Sequence, residues 1–146
     1  MDLSEILSIS GKPGLYKVVS RRKNDLIVNS LVDGKRQIVH AMERVSSLTD
    51  ISIYTHEDSV PLEEFFKKAY AMEGGKALLN ANADPENLRK KLEEILPNYD
   101  QDRVYNSDIK KLFQWYNLLI DKGLLTFERK ENNEVPSKED NSKEKL

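Results

Sequence analysis

Near Val60 the hydrophobic residues of this chain change their spacing from every second position to every third or fourth. Before it, four short runs, "GLYKVVS", "DLIVNSLV", "KRQIVHA" and "DISIYT", are rich in β-branched and aromatic side chains and separated by brief loops. Period two is the signature of strands with one buried face. After it, Leu62, Phe65, Phe66, Ala69 and Tyr70 follow the i, i+3, i+4, i+7, i+8 rule of an amphipathic helix. Strands gathered in one half and helices in the other predict an α+β protein.

The strand half carries one strong local signal. Asp33-Gly34 lies between two apolar runs and suits the two-residue type I′ hairpin turn. Such a turn pairs Val28 with Val39 and Leu26 with Ala41, so these four share a core face. The opposite face then carries Ile27, Asn29, Leu31, Arg36, Ile38 and His40. Four or five strands in so short a stretch predict a small SH3-like antiparallel β-barrel or a curled sheet over about residues 1–56. Leu3, Ile6, Leu7 and Ile9 read as a short amphipathic turn ahead of it. Gly11-Lys12-Pro13-Gly14 resembles the G-x-x-G that clamps nucleic-acid backbone in some RNA-binding modules. Here the loop enters a strand and Pro13 removes one of the amides a clamp needs, so it reads as a turn.

The other half predicts a three-helix lobe over about 57–127. The first helix begins at Pro61, with Glu63 and Glu64 ahead of Lys67 and Lys68, and stops at Gly74-Gly75. Asp84-Pro85 starts the second, which ends before Pro97, and the third runs from near Ser107 to Gly123. "LLTF" at 124–127 reads as a short strand or extended arm. From Glu128 to Leu146 the chain has almost nothing to bury and is expected to be disordered.

Composition excludes more than it identifies. No cysteine is present, which removes disulfides, thiolate metal sites and a cysteine nucleophile. No apolar run reaches the length of a membrane helix and the acidic start is unlike a signal peptide, so a cytoplasmic protein is expected. Gly74-Gly75-Lys76 lacks the earlier glycine and the Ser or Thr of a phosphate loop. Counted from Asp100, a calcium loop fails at Tyr105 and Lys111. The two histidines, His40 and His56, stand in no metal-ligand spacing, and no serine has the G-x-S-x-G context. No enzyme, cofactor or metal is expected.

Two binding readings remain. The net charge of −2 divides into +2 for residues 1–56, −3 for 57–127 and −1 for the tail. This is weak for a protein that binds nucleic acid by counterion release. Protein binding is therefore preferred, through the apolar residues left on the second hairpin face (Ile27, Asn29, Leu31, Ile38, His40) and the aromatic flank at Trp115. The alternative is RNA or DNA binding through Lys12, Lys17, Arg21, Arg22, Lys23, Lys35 and Arg36. The rhythm of the last helix and "LLTF" also suggests a winged helix, although that helix offers only Lys110, Lys111 and Lys122 as cations.

The strings "EILSISGKPGLYKVVS", "IVNSLVDGKR", "VSSLTDISIYT" and "VPLEEFFKK" resemble a bacterial family of uncharacterised two-lobed proteins, over about residues 3–127. The resemblance implies a small N-terminal domain of unknown function joined to a helical C-terminal one, in the bacterial cytoplasm. It brings no assigned activity or site residue.

Overall fold

The computed structural model describes residues 3–12, 14–40 and 44–125. After a single 3-10 turn at Leu3–Glu5, strand β1 (Ile6–Ile9) leads through the glycine turn into β2 (Tyr16–Arg21) and β3 (Asp25–Ser30). Strands β4 (Arg36–His40) and β5 (Val45–Ser47) follow, then a hairpin of β6 (Ser52–Tyr54) and β7 (Ser59–Pro61). Helices α1 (Leu62–Met72), α2 (Pro85–Ile95) and α3 (Asn106–Asp121) complete the described chain. Gly11 and Gly14 both take positive φ angles, and Lys12 N–H donates to the Ile9 carbonyl, so the chain turns at Gly11; Pro13 lies outside the described residues.

The fold is α+β, but the sheet does not close into a barrel. Its order is β4-β3-β2-β1-β5, all neighbours antiparallel, with β4 and β5 as its two ends. The stretch expected as a helical turn, Ile6 to Ile9, is strand β1. Its residues satisfy helical and alternating spacing alike, and pairing to β2 on one side and β5 on the other decides the outcome. "DISIYT" forms its strand outside this sheet, paired with β7 and joined by a single antiparallel bridge from Thr55 to Tyr99. Pro61 ends β7 and caps α1 instead of opening it.

The β3–β4 connection is a correction of register. Val28 pairs with Gln37 and Leu26 with Val39, two positions from the pairing that a two-residue turn would impose. Leu31 N–H donates to the Leu15 carbonyl, which draws Leu31 inward and leaves a four-residue loop between Ser30 and Lys35. Ser30 Oγ accepts from Val32 N–H and Asp33 Oδ1 from Lys35 N–H, while Gly34 supplies the left-handed residue at φ 75°. A shift of two keeps every side chain on its face. Leu26, Val28 and Val39 still point to one core, with Leu7, Ile9 and Tyr16; Ala41 lies outside the described residues.

A larger core joins the sheet to the helices. Leu3, Ile6, Leu15 and Leu48 pack in one cluster with Phe65, Phe66, Phe113 and Tyr116. β1 is thus buried on both faces, Ile6 on one side and Leu7 with Ile9 on the other. Phe65 sits at the centre of the aromatic group, its ring centroid 5.8 Å from Phe66, 6.4 Å from Phe113 and 6.5 Å from Tyr116. Such tilted and edge contacts add to the burial of each ring. Helix boundaries follow from the caps: Asp84 accepts from Glu86 N–H with Pro85 in the first turn, and Asp108 accepts from Tyr105 N–H at 3.0 Å. Gly75 N–H donates to the Tyr70 carbonyl at φ 80°, ending α1 as a glycine stop. The "LLTF" end beyond Leu125 and the expected disordered tail at 128–146 lie outside the described residues.

Candidate functional site

Alternation along β2, β3 and β4 turns one set of side chains away from the inner core. Lys17, Asn29 and Arg36 form one cross-strand row, because Lys17 pairs with Asn29 and Asn29 with Arg36. Ile27 pairs with Ile38 in the next row, alongside Ser20. The register slips between Val18 and Ser20, and this bulge leaves Val19 beside them, 45% exposed. Ile38 is 48% exposed and Ile27 half-buried. Val19 escaped the sequence reading, although adjacent valines in "KVVS" cannot both face one core.

The same strand is an end of the sheet. Ser30 N–H donates to the Lys35 carbonyl, which makes that pair a bonded one, so Val28/Gln37 and Leu26/Val39 are bonded in turn. The peptide groups of Arg36 and Ile38 therefore point away from β3. Their side chains stand on the outer face. Among the described residues no strand pairs with that side of β4, so an apolar stripe and a strand edge coincide at Ile38.

Charge singles out part of this surface. Arg21 pairs with Glu5 at 2.9 Å, and Arg22 Nε approaches Asp25 Oδ1 to 3.0 Å at an angle too poor for a hydrogen bond. Lys17, Lys23, Lys35 and Arg36 form no ion pair among the described residues. Lys17 and Arg36 flank Asn29 on the outer face, whereas Lys23 lies at the far end of the hairpin. Lys12 is half-buried in the glycine turn and has an interaction of its own. The basic residues thus divide between the two ends of the hairpin.

The remaining sequence candidates are placed elsewhere. His40 is exposed on β4 opposite Asp25. Leu31 is half-buried against the larger core, and Trp115 is 8% exposed within it. One edge of Trp115 reaches a 230 Å³ groove beside β6, lined also by Ile51, Tyr54, Arg103, Lys111 and Leu112. Arg103 lies 4.3 Å over the Tyr54 ring and donates to Asp100 Oδ2 at 2.9 Å. That hydrogen bond, with two backbone N–H donors, holds the Asp100 carboxyl below its usual range. α3 buries Ile109, Leu112, Phe113, Tyr116 and Leu119 against its own lobe. Among the described residues no group of His, Asp and Glu could hold a metal ion, and no helix is long and apolar enough to cross a membrane.

Comparison with known proteins adds the following. Residues 3–48 match a domain of unknown function, DUF5606, and residues 51–119 match another, DUF6852. The chain is similar to a protein from Bacteroides vulgatus whose solution NMR structure comes from a structural genomics consortium. The two share 44% identity over 86% of this chain and 91% of that one, with a TM-score of 0.70. No curated protein matches.

Proposed function

We propose that this chain, which belongs to the same family as the Bacteroides vulgatus protein and joins two domains of unknown function, is a cytoplasmic, non-enzymatic binding module for another protein. Its docking surface is the outer face and free edge of β4, and the segment it takes up is extended and acidic. One observation carries this reading: half-exposed Ile38 lies beside Ile27 and Val19 on an end strand, next to Lys17 and Arg36, which form no ion pair among the described residues. An added strand satisfies the outward peptide groups of Arg36 and Ile38, and its alternate side chains cover the valine–isoleucine stripe. Acidic residues between them meet the two cations. Contacts of this kind at a surface rim set partner choice and association rate more than affinity.

The four cations without an ion pair among the described residues, Lys17, Lys23, Lys35 and Arg36, also favour a second reading, nucleic-acid binding. Their division between the two ends of the hairpin and the mild charge of the half weigh against it. Fluorescence anisotropy separates the two, using a labelled alternating Glu-Val hexapeptide and a labelled oligothymidylate. Protein binding predicts that the peptide binds and is weakened at least tenfold by Ile38→Glu and by Arg36→Glu in folded variants. Absence of peptide binding, or equal binding by the variants, overturns it. Oligothymidylate binding that is lost on Arg21→Glu, Arg22→Glu and Lys23→Glu together transfers the function to nucleic acid.

A further inference from the structure

A cleft of 530 Å³ opens between the sheet and the helical lobe, on the opposite side of the hairpin from the docking face. The sheet contributes Tyr16, Ser30 and Gln37, and the β3–β4 loop contributes Val32 and Asp33. Asn80 and Asn82 come from the segment between α1 and α2. α3 presents Gln114, Asn117 and Asp121 at i, i+3 and i+7, one helical face.

One polar residue here is out of place for a merely structural contact. Gln37 stands on the inner face of β4, opposite fully buried Val28 and two residues from buried Val39. Alternation calls for an apolar side chain at that position. Instead an amide is half-buried there and makes no hydrogen bond among the described residues. Across the cleft the exposed side chains of Gln114, Asn82 and Asp121 have no protein partner among the described residues, so their polar atoms are open to a ligand. Asn117 acts differently: its Oδ1 accepts from Leu78 N–H at 2.7 Å and its Nδ2 donates to the Leu79 carbonyl at 2.9 Å. It pins the 78–82 segment to α3 and so positions Asn80 and Asn82 at the rim.

The lining also states what it selects. It holds five side-chain amides, a serine hydroxyl and two carboxylates, and neither lysine nor arginine. Two of the chain's three glutamines are among them. An anionic ligand would meet only negative charge. Amides donate and accept side by side, which matches hydroxyl groups that do the same, and carboxylates accept from hydroxyls. The volume falls within the roughly 300–1,000 Å³ of small-molecule sites, and junctions between lobes are a usual place for them. We propose that this cleft binds a neutral, polyhydroxylated small molecule, held by Gln37 from the sheet and by Gln114, Asn82 and Asp121 from the helical lobe. Such a ligand bridges the two lobes. The inference is independent of the β4 reading, because Gln37 and Ile38 face opposite sides of the sheet.

The test follows the side-chain amide signals of Gln37 and Gln114 by NMR on the full chain. The probes are maltose, cellobiose and myo-inositol, with ATP and spermidine as charged counterparts. At least one neutral probe shifts both signals saturably. Gln114→Leu and, separately, Asn82→Ala weaken that binding at least tenfold while the backbone spectrum stays folded. The inference is overturned if none of the three neutral probes moves either signal, or if ATP or spermidine does so while they do not.

Discussion

Gly14 and Val32 are so close that a Cβ on the glycine would lie 2.7 Å from the valine Cγ2. Gly14 also holds φ at +76°, so two constraints meet at one residue: the turn into β2 and the approach of the β3–β4 loop. Gly11, at φ +84°, has open space where its Cβ would be. Alanine at Gly11 should therefore cost only the backbone penalty, about 1–2 kcal/mol. Gly14→Ala should add overpacking of about 1–3 kcal/mol. Urea unfolding of both variants checks this, and Val32→Ala in the Gly14→Ala background should recover part of the difference.

Tyr116 is fully buried and its hydroxyl donates to the Lys76 carbonyl at 2.9 Å. Burial, then the charge of Glu73, pushes its phenol up to about 12. The folded protein thus holds this proton more tightly than the unfolded chain, whose phenol ionises near 10. Stability from this group is complete below about pH 10 and is lost as the pH rises towards about 12. Ultraviolet titration should show the Tyr116 phenol ionising above the pH at which a free phenol does. Tyr116→Phe should remove that late step and cost about 1 kcal/mol.

Arg89 ties three pieces of the helical lobe together. Its Nε donates to Asn106 Oδ1 at 2.6 Å, one terminal nitrogen to the Val104 carbonyl at 3.1 Å and the other to the Tyr99 hydroxyl at 3.3 Å. Lysine cannot reproduce that planar fork. Arg89→Lys should destabilise by about 1–3 kcal/mol, as for loss of hydrogen bonds to a charged group, seen as a lowered urea midpoint with an unchanged slope.

The helices were legible because each carries its own punctuation: Asp84-Pro85 before α2, Gly74-Gly75 after α1, Gly123 after α3. The inner face of the hairpin was legible too, since a two-residue slip of register preserves side-chain parity. What could not be read was pairing between distant segments. Ile6 to Ile9 becomes a strand by pairing with β2 on one side and, on the other, with Val45–Ser47, nearly forty residues later. Leu31 was expected outside, yet the hydrogen bond to Leu15 turns it inward. The cleft is assembled from five separate stretches, and only Gln37, an amide in an apolar register, marks it within one of them.

Leu31 and Ile38 sharpen the contrast between core and docking face. Ile38→Glu should change stability by no more than about 0.5 kcal/mol, as for most surface positions. Leu31→Glu places a carboxylate against the larger core and should cost about 2 kcal/mol or more. Thermal melts of the two variants check the ranking.

The β4 edge itself is tested most directly by amide hydrogen exchange at Ile38, without and with the alternating Glu-Val hexapeptide. Docking by strand addition predicts that the Ile38 amide exchanges rapidly in the free protein and becomes protected on adding the peptide, while the inward amides of Gln37 and Val39 are protected throughout. An Ile38 amide that is already protected in the free protein, or that stays unprotected at saturating peptide, would contradict it.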